Sequence, residues 1–181
     1  MKCSRALKNS KIKDYMVMTV LLITVLFAYN ILQIVLNTRV PIGVVSSDSM
    51  EPNLKRGDYV ICIGVRAEDI EVGDIIIFDL PHKSNIVHRV INKMKDSDGS
   101  WRFLTKGDNN SKPDEEPYDI KTWVREENII GKVIFKIPYI GWITLIAREN
   151  PIIPLIIFLL ILIIITIPWR KGERNSDEEL K

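Results

Sequence analysis

The sequence predicts a mainly β protein, with one antiparallel β domain held between an N-terminal and a C-terminal transmembrane helix. Three observations carry that expectation. Apolar residues make up 46% of the 181, and their excess is concentrated in two long runs near the ends. Each run is flanked on its terminal side by Lys and Arg. Between the runs the pattern changes to short β-branched segments separated by Gly, Pro, Asn and Asp, the alternation of strands and tight turns.

The first run extends from Tyr15 to Leu36 and carries no charge; its polar interruptions include Thr24, Asn30 and Gln33. At 1.5 Å per residue it covers a hydrocarbon core of roughly 30 Å. Lys2, Arg5, Lys8, Lys11 and Lys13 crowd its N-terminal side, whereas Arg39 stands nearly alone beyond it. The positive-inside bias therefore makes residues 1–14 a cytoplasmic basic tail and directs the helix 15–36 outward. A cleavable leader has a shorter apolar core and a small-residue cleavage site. Asn37-Thr38-Arg39 offers no such site, so the helix is expected to remain as an anchor.

The second run extends from Ile152 to Ile167, with Trp169 at its far interface, and predicts a span over 152–169. Pro151 and Pro154 stand at its entrance, where a helix start tolerates proline. Arg170, Lys171 and Arg174 follow at once, and residues 170–181 form a charged cytoplasmic tail with no apolar face to bury. A helix lying in the membrane interface is the alternative to a full crossing. Both charge clusters give one topology: a multi-pass cell-membrane protein with both termini cytoplasmic and residues 37–151 outside. In a eukaryote the membrane would be that of the endoplasmic reticulum.

Residues 37–151 number roughly a hundred, enough for one modest core. Strands are expected at Tyr59–Ile63, Asp74–Phe78, Ile86–Ile91, Trp101–Leu104 and Ile129–Phe135, and no stretch has a convincing 3.6-residue period. The loop Lys106–Pro117 is polar and proline-containing, which predicts a surface position. Pro138–Ile143 is an uncharged aromatic patch that suits either the membrane interface or the core.

Composition excludes several classes. A net charge of +2, with no basic stripe interleaved with aromatics, argues against a nucleic-acid partner. Cys3 and Cys62 fall on opposite sides of the first span and cannot pair; Cys62 reads as a small strand hydrophobe. The two histidines, His82 and His88, lack a common ligand spacing, so neither a metal nor a cofactor is expected.

The residues that could carry chemistry are few. Ser49 stands in the turn Ser47-Asp48-Ser49-Met50-Glu51-Pro52, shortly after the first span. A serine hydroxyl is a weak nucleophile and needs a base oriented by a third group. His82 lies in a polar loop and reads as solvated. His88 sits mid-strand, sharing a face with Ile86 and Val90, opposite Val87 and Arg89. In that position it is either a satisfied core residue or a base. Asp108 and Asp114 lie in the turn-rich loop, where Asp ordinarily caps or forms Asx turns. A carboxylate that accepts from a histidine ring would instead fix its tautomer.

Taken in order, Ser49-Met50-Glu51-Pro52, Gly57-Asp58, Gly73–Phe78, Val87-His88-Arg89-Val90 and Lys106–Asn110 with Asp114 resemble the boxes of type I signal peptidases. The similarity spans roughly residues 40–140. Histidine at position 88, where the bacterial Ser–Lys branch has lysine, resembles the Ser–His–Asp branch of archaea and the endoplasmic reticulum. The resemblance implies an external β domain of the signal peptidase type and a membrane-bound serine endopeptidase that cleaves signal peptides from preproteins. Ser49 would be the nucleophile and His88 the general base. The Ser49 N–H, with the Ser47 hydroxyl, would hold the oxyanion, and Met50 would line the substrate cleft. Asp114 is implied as the carboxylate on His88; Asp108 competes for that role, or else forms an ion pair with Arg89. The family reads small residues before the cut from an extended peptide. Expected partners are preprotein signal peptides and the lipid bilayer, with the secretion translocon or accessory subunits as further candidates. Two other readings stand beside this one: a non-catalytic, membrane-tethered β-domain adaptor, and a processing protease with a narrow client.

Overall fold

A computed structural model of the chain describes residues 2–80 and 82–166. They form two compact units, one through Trp142 and one from Ile143. The first opens with helix α1 (Lys2–Val35). Within it, Tyr15–Val35 is long and apolar enough to cross a membrane, and none of its described side chains is buried. Side chains such as Leu21, Phe27 and Ile34 stand exposed among the described residues, which fits a lipid environment.

The helix ends where Asn37 takes a positive φ of 49°, a conformation that Asn tolerates. Two bonds then fasten its end to the sheet and a third holds it to the turn that follows. Gly64 N–H donates to Leu36 O at 2.8 Å, the Thr38 hydroxyl to Ile130 O at 2.9 Å, and Gln33 Nε2 to Arg39 O at 2.9 Å. A Cβ on Gly64 would lie 1.8 Å from Asn37 O, so only glycine permits this approach.

Seven strands follow: β1 (Ile42–Val44), β2 (Tyr59–Ile63), β3 (Ile75–Leu80), β4 (Lys83–Lys95), β5 (Trp101–Lys106), β6 (Val124–Arg125) and β7 (Ile129–Ile137). They make one sheet in the order β1-β2-β7-β3-β4-β5-β6, every pairing antiparallel. Registers include Ile76 opposite His88, Arg89 opposite Lys106, and Ile77 opposite Gly131. Irregularities at Ile61/Cys62, Ile77/Phe78 and Val90/Asn92 interrupt the ladder, as β-bulges do where a sheet bends.

Alternation along β3 divides the core. Ile77 packs with Val45, Met50, Leu54, Val60, Cys62 and Ile130, while Ile76 and Phe78 join Ile70, Ile86, Val90, Phe103 and Val124. Cys62 is a buried free thiol, and burial raises its pKa.

The antiparallel β domain follows the expectation, with differences. β1 and β6, three and two residues long, were not expected; strands this short carry no period. β4 runs much longer than Ile86–Ile91, because β5 continues its pairing as far as Lys95. α2 (Trp142–Glu149), all but its first residue in the second unit, forms where no helix was expected. At about two turns it is too short to display a helical period, and Pro151 follows its end. Tyr139 and Ile140 are exposed, which removes the core reading of that patch.

α3 (Ile152–Thr166) meets α2 at a bend of 102°. Only together, as one broken element, are the two helices long and apolar enough to cross a membrane. The expected interface residue Trp169 and the tail 170–181 lie outside the described residues.

Candidate active site

The turn that carries Ser49 is fixed from several sides. Met50 and Leu54, 1% and 3% exposed, anchor it in the core. Leu54 N–H returns to Met50 O at 2.9 Å, and Val45 N–H donates to Asp58 O at 2.9 Å. Asp58 is itself buried and accepts from Lys55 N–H and Tyr139 N–H, which gives the Gly57-Asp58 box a structural purpose. From the loop after β5, Asn109 N–H donates to Ser49 O at 2.8 Å and Asn109 Nδ2 to Asp48 O at 3.2 Å. Gly107 allows that loop to close: a Cβ there would stand 2.6 Å from Ser49 O.

β4 supplies the second group. Ile86, His88 and Val90 are all buried and share a face, and the Phe78 ring lies tilted 6.4 Å from the imidazole. His88 Nε2 is 3.0 Å from Ser49 Oγ. Its Nδ1 is in hydrogen-bond contact with Asp114 Oδ2. A carboxylate at Nδ1 demands the ring proton there, leaving Nε2 to accept from the serine hydroxyl. Ser47 Oγ lies 3.2 Å from Ser49 Oγ.

The two aspartates take different partners. Asp114 is held by its own N–H on Thr105 O at 2.9 Å and by the Thr105 hydroxyl on Oδ2 at 2.8 Å. Asp108 receives Arg89 Nε at 2.8 Å, Arg89 Nη2 at 2.7 Å and Asn53 Nδ2 at 2.8 Å. The guanidinium holds the Asp108 carboxyl below the usual carboxylate range. Arg89 also donates to Gly73 O at 2.7 Å, so the Gly73 box ends on the same clamp. His82 is exposed in the turn between β3 and β4, as its loop predicted.

The geometry is that of a nucleophile, a base and an orienting carboxylate, brought together from three separate segments. A family model described as signal peptidase, peptidase S26, matches residues 13–93. The chain is 38% identical over 123 residues to the signal peptidase complex catalytic subunit SEC11 of Leptosphaeria maculans, covering 66% of this chain and 70% of that protein. This chain belongs to the signal peptidase family. Eremothecium gossypii SEC11 is 39% identical over 66% of this chain and 72% of its own length. Human SEC11C is 37% identical, with 61% of this chain matched to 59% of that protein.

Within this signal peptidase family member, a cavity of about 160 Å³ opens beside the serine and histidine, lined by Ser47, Ser49, Met50, Ile86 and His88 among others. It lies between the end of β1 and the start of β4. β5 pairs with β4 only from Arg89 onward, so one edge of Lys83–His88 carries no strand partner. Among the described residues, no group of three or more His, Cys, Asp and Glu could hold a metal ion.

Sequence reasoning missed Thr105 and Glu115. The loop Lys106–Pro117 was expected at the surface, yet Glu115 is 9% exposed and accepts from Thr105 N–H at 3.0 Å. Burial pushes its carboxyl up to about 7. Only the acidic pair Asp114-Glu115 beside a proline marked the spot, and that is ordinary loop composition.

Proposed function

We propose that this chain is a membrane-bound serine endopeptidase that removes signal peptides from secreted and membrane preproteins. One observation carries the reading: a continuous line of contacts from Ser49 Oγ through both nitrogens of His88 to Asp114. Ser49 attacks the carbonyl at the cleavage site while His88 Nε2 takes its proton. Asp114 holds the imidazole in the required tautomer and stabilises the imidazolium. His88 then gives the proton to the leaving amine, and water hydrolyses the acyl-enzyme by the same route. The Ser49 N–H and the Ser47 hydroxyl are the candidate donors to the oxyanion; one such donor is typically worth about 10²–10³ in rate.

Two features support an extended peptide as substrate. The free edge of Lys83–His88 can accept a strand, and the adjoining cavity is small enough to favour small side chains. The apolar helix α1, fastened to the sheet at its outer end, supports a serine held close to a membrane surface. The basic N-terminal flank supports a cytoplasmic N-terminus with residues 37–151 outside. A return span over 152–169 with a cytoplasmic C-terminus completes the proposed topology. The relatives are named as subunits of a complex, so accessory subunits are proposed as partners here too.

The test is cleavage of a preprotein by the full chain in membranes, followed by mass. The reading predicts one cut after a small residue and no cut by Ser49→Ala. Equal cutting by that variant would overturn it.

A further inference from the structure

The loop after β5 turns two adjacent carboxyl groups toward one hydroxyl. Thr105 is fully buried. Its Oγ1 lies 2.8 Å from Asp114 Oδ2 and 3.1 Å from Glu115 Oε1, and its backbone N–H donates to Glu115 Oε2 at 3.0 Å. A threonine hydroxyl carries one proton and can serve only one of the two acceptors. Asp114 Oδ2 is also the oxygen that meets His88 Nδ1.

Counting donors separates the two charge states of Glu115. With Glu115 ionised, two carboxylates compete for one proton in a buried setting, and one of them is left short of a donor. With Glu115 neutral, each of the four donors along the line has an acceptor. Its Oε1–H donates to Thr105 Oγ1, Thr105 donates to Asp114 Oδ2, His88 Nδ1–H donates to the same oxygen, and Ser49 donates to His88 Nε2. The surroundings favour that neutral form: burial, reinforced by the Asp114 charge, raises the Glu115 pKa to about 7. The charged neighbours are Asp114 on its own loop, Lys112 and Glu116 around the adjoining hollow, and His88 beyond Asp114 on β4. β5 presents the uncharged Thr105.

We propose that Glu115 is a positioning residue whose neutral carboxyl group, acting through the Thr105 hydroxyl, keeps Asp114 aligned on His88. The inference rests on the serine-protease reading above. When pH rises and Glu115 loses its proton, the Thr105 proton is divided between two acceptors and the alignment weakens.

The test measures kcat and KM for preprotein cleavage by the full chain in membranes from pH 5.5 to 9. Wild type is compared with Glu115→Gln, Thr105→Val, Thr105→Ser and Ser49→Ala. Relative to Glu115→Gln, which keeps the same His88, wild-type kcat should fall about three- to tenfold as pH rises through about 7, with KM little changed. A glutamine donates to Thr105 Oγ1 and accepts from Thr105 N–H as the neutral acid does, so Glu115→Gln should lack that fall. Thr105→Val should lower kcat about tenfold across the range, and Thr105→Ser should restore both rate and pH response. Should the glutamine variant not fold, Thr105→Val against Thr105→Ser carries the test. Superimposable profiles for wild type and Glu115→Gln, or full activity in Thr105→Val, would overturn the inference while an inactive Ser49→Ala left the protease reading standing. An active Ser49→Ala would overturn both.

Discussion

Arg89 grips Asp108 through two parallel hydrogen bonds, Nε to Oδ1 at 2.8 Å and Nη2 to Oδ2 at 2.7 Å. Arg89 follows His88 on β4, and strand alternation sends the two side chains to opposite faces. The two aspartates are thereby divided, Asp114 meeting the histidine and Asp108 its neighbour. Asp108→Asn keeps an oxygen for Arg89, so kcat/KM should fall less than about tenfold. Asp114→Asn should lower it by about 10⁴, the scale of a lost tautomer in a triad. Comparable losses in the two variants would contradict this division.

Gly107 bears on Ser49 through space. A methyl group there meets Ser49 O at 2.6 Å and the Asn110 amide at 2.7 Å, so Gly107→Ala must displace the serine turn or the loop. A shift of about 1 Å at a reacting atom costs on the order of 10² in rate. We predict that loss in kcat, with the thermal midpoint of the chain lowered by only a few degrees. An unchanged kcat would show that the two loops need not touch.

Glu115 also makes stability depend on pH. Its pKa rises from the usual 4.5 to about 7 on folding, because burial disfavours the charge. Below 4.5 both folded and unfolded chains hold the proton. Between 4.5 and 7 the unfolded chain releases it while the folded chain does not, so stability falls as pH rises and levels off above 7. The span is on the order of 3 kcal/mol. Thermal midpoints measured against pH should show wild type losing stability across that window relative to Glu115→Gln. Parallel curves would mean that Glu115 ionises normally.

The topology is open to a direct check. Tags at the two ends should be digested from the same side of sealed vesicles, with sites inserted in exposed turns of residues 37–151 digested from the other. A C-terminal tag on the side of the β domain would mean that the segment from Ile152 does not cross.

Much of this architecture was legible in the sequence where a residue pattern was long enough to repeat. β2 appears at Tyr59–Ile63 as expected, and the alternation around His88 gives the correct buried face. The strand-borne histidine stood out because the chain has only one other, His82, and Ser49 because the residues around it resemble a family box. What was not legible depends on contacts across the chain. β1 and β6 exist because β2 and β5 offer edges to pair with, not because three or two residues prefer to be extended. Glu115 looked like one more solvated acid, since nothing local says that Thr105 closes over it. The choice between Asp108 and Asp114 likewise rests on which loop residues reach β4.

The central claim is that Ser49 and His88 act as one catalytic unit, and the rates of both single variants and their double variant test it most directly. Preprotein cleavage by Ser49→Ala and by His88→Ala should each be slower by about 10⁴ or more, and the double variant should be no slower than either. Losses that multiply in the double variant, or either single variant cutting within tenfold of wild type, would contradict the account.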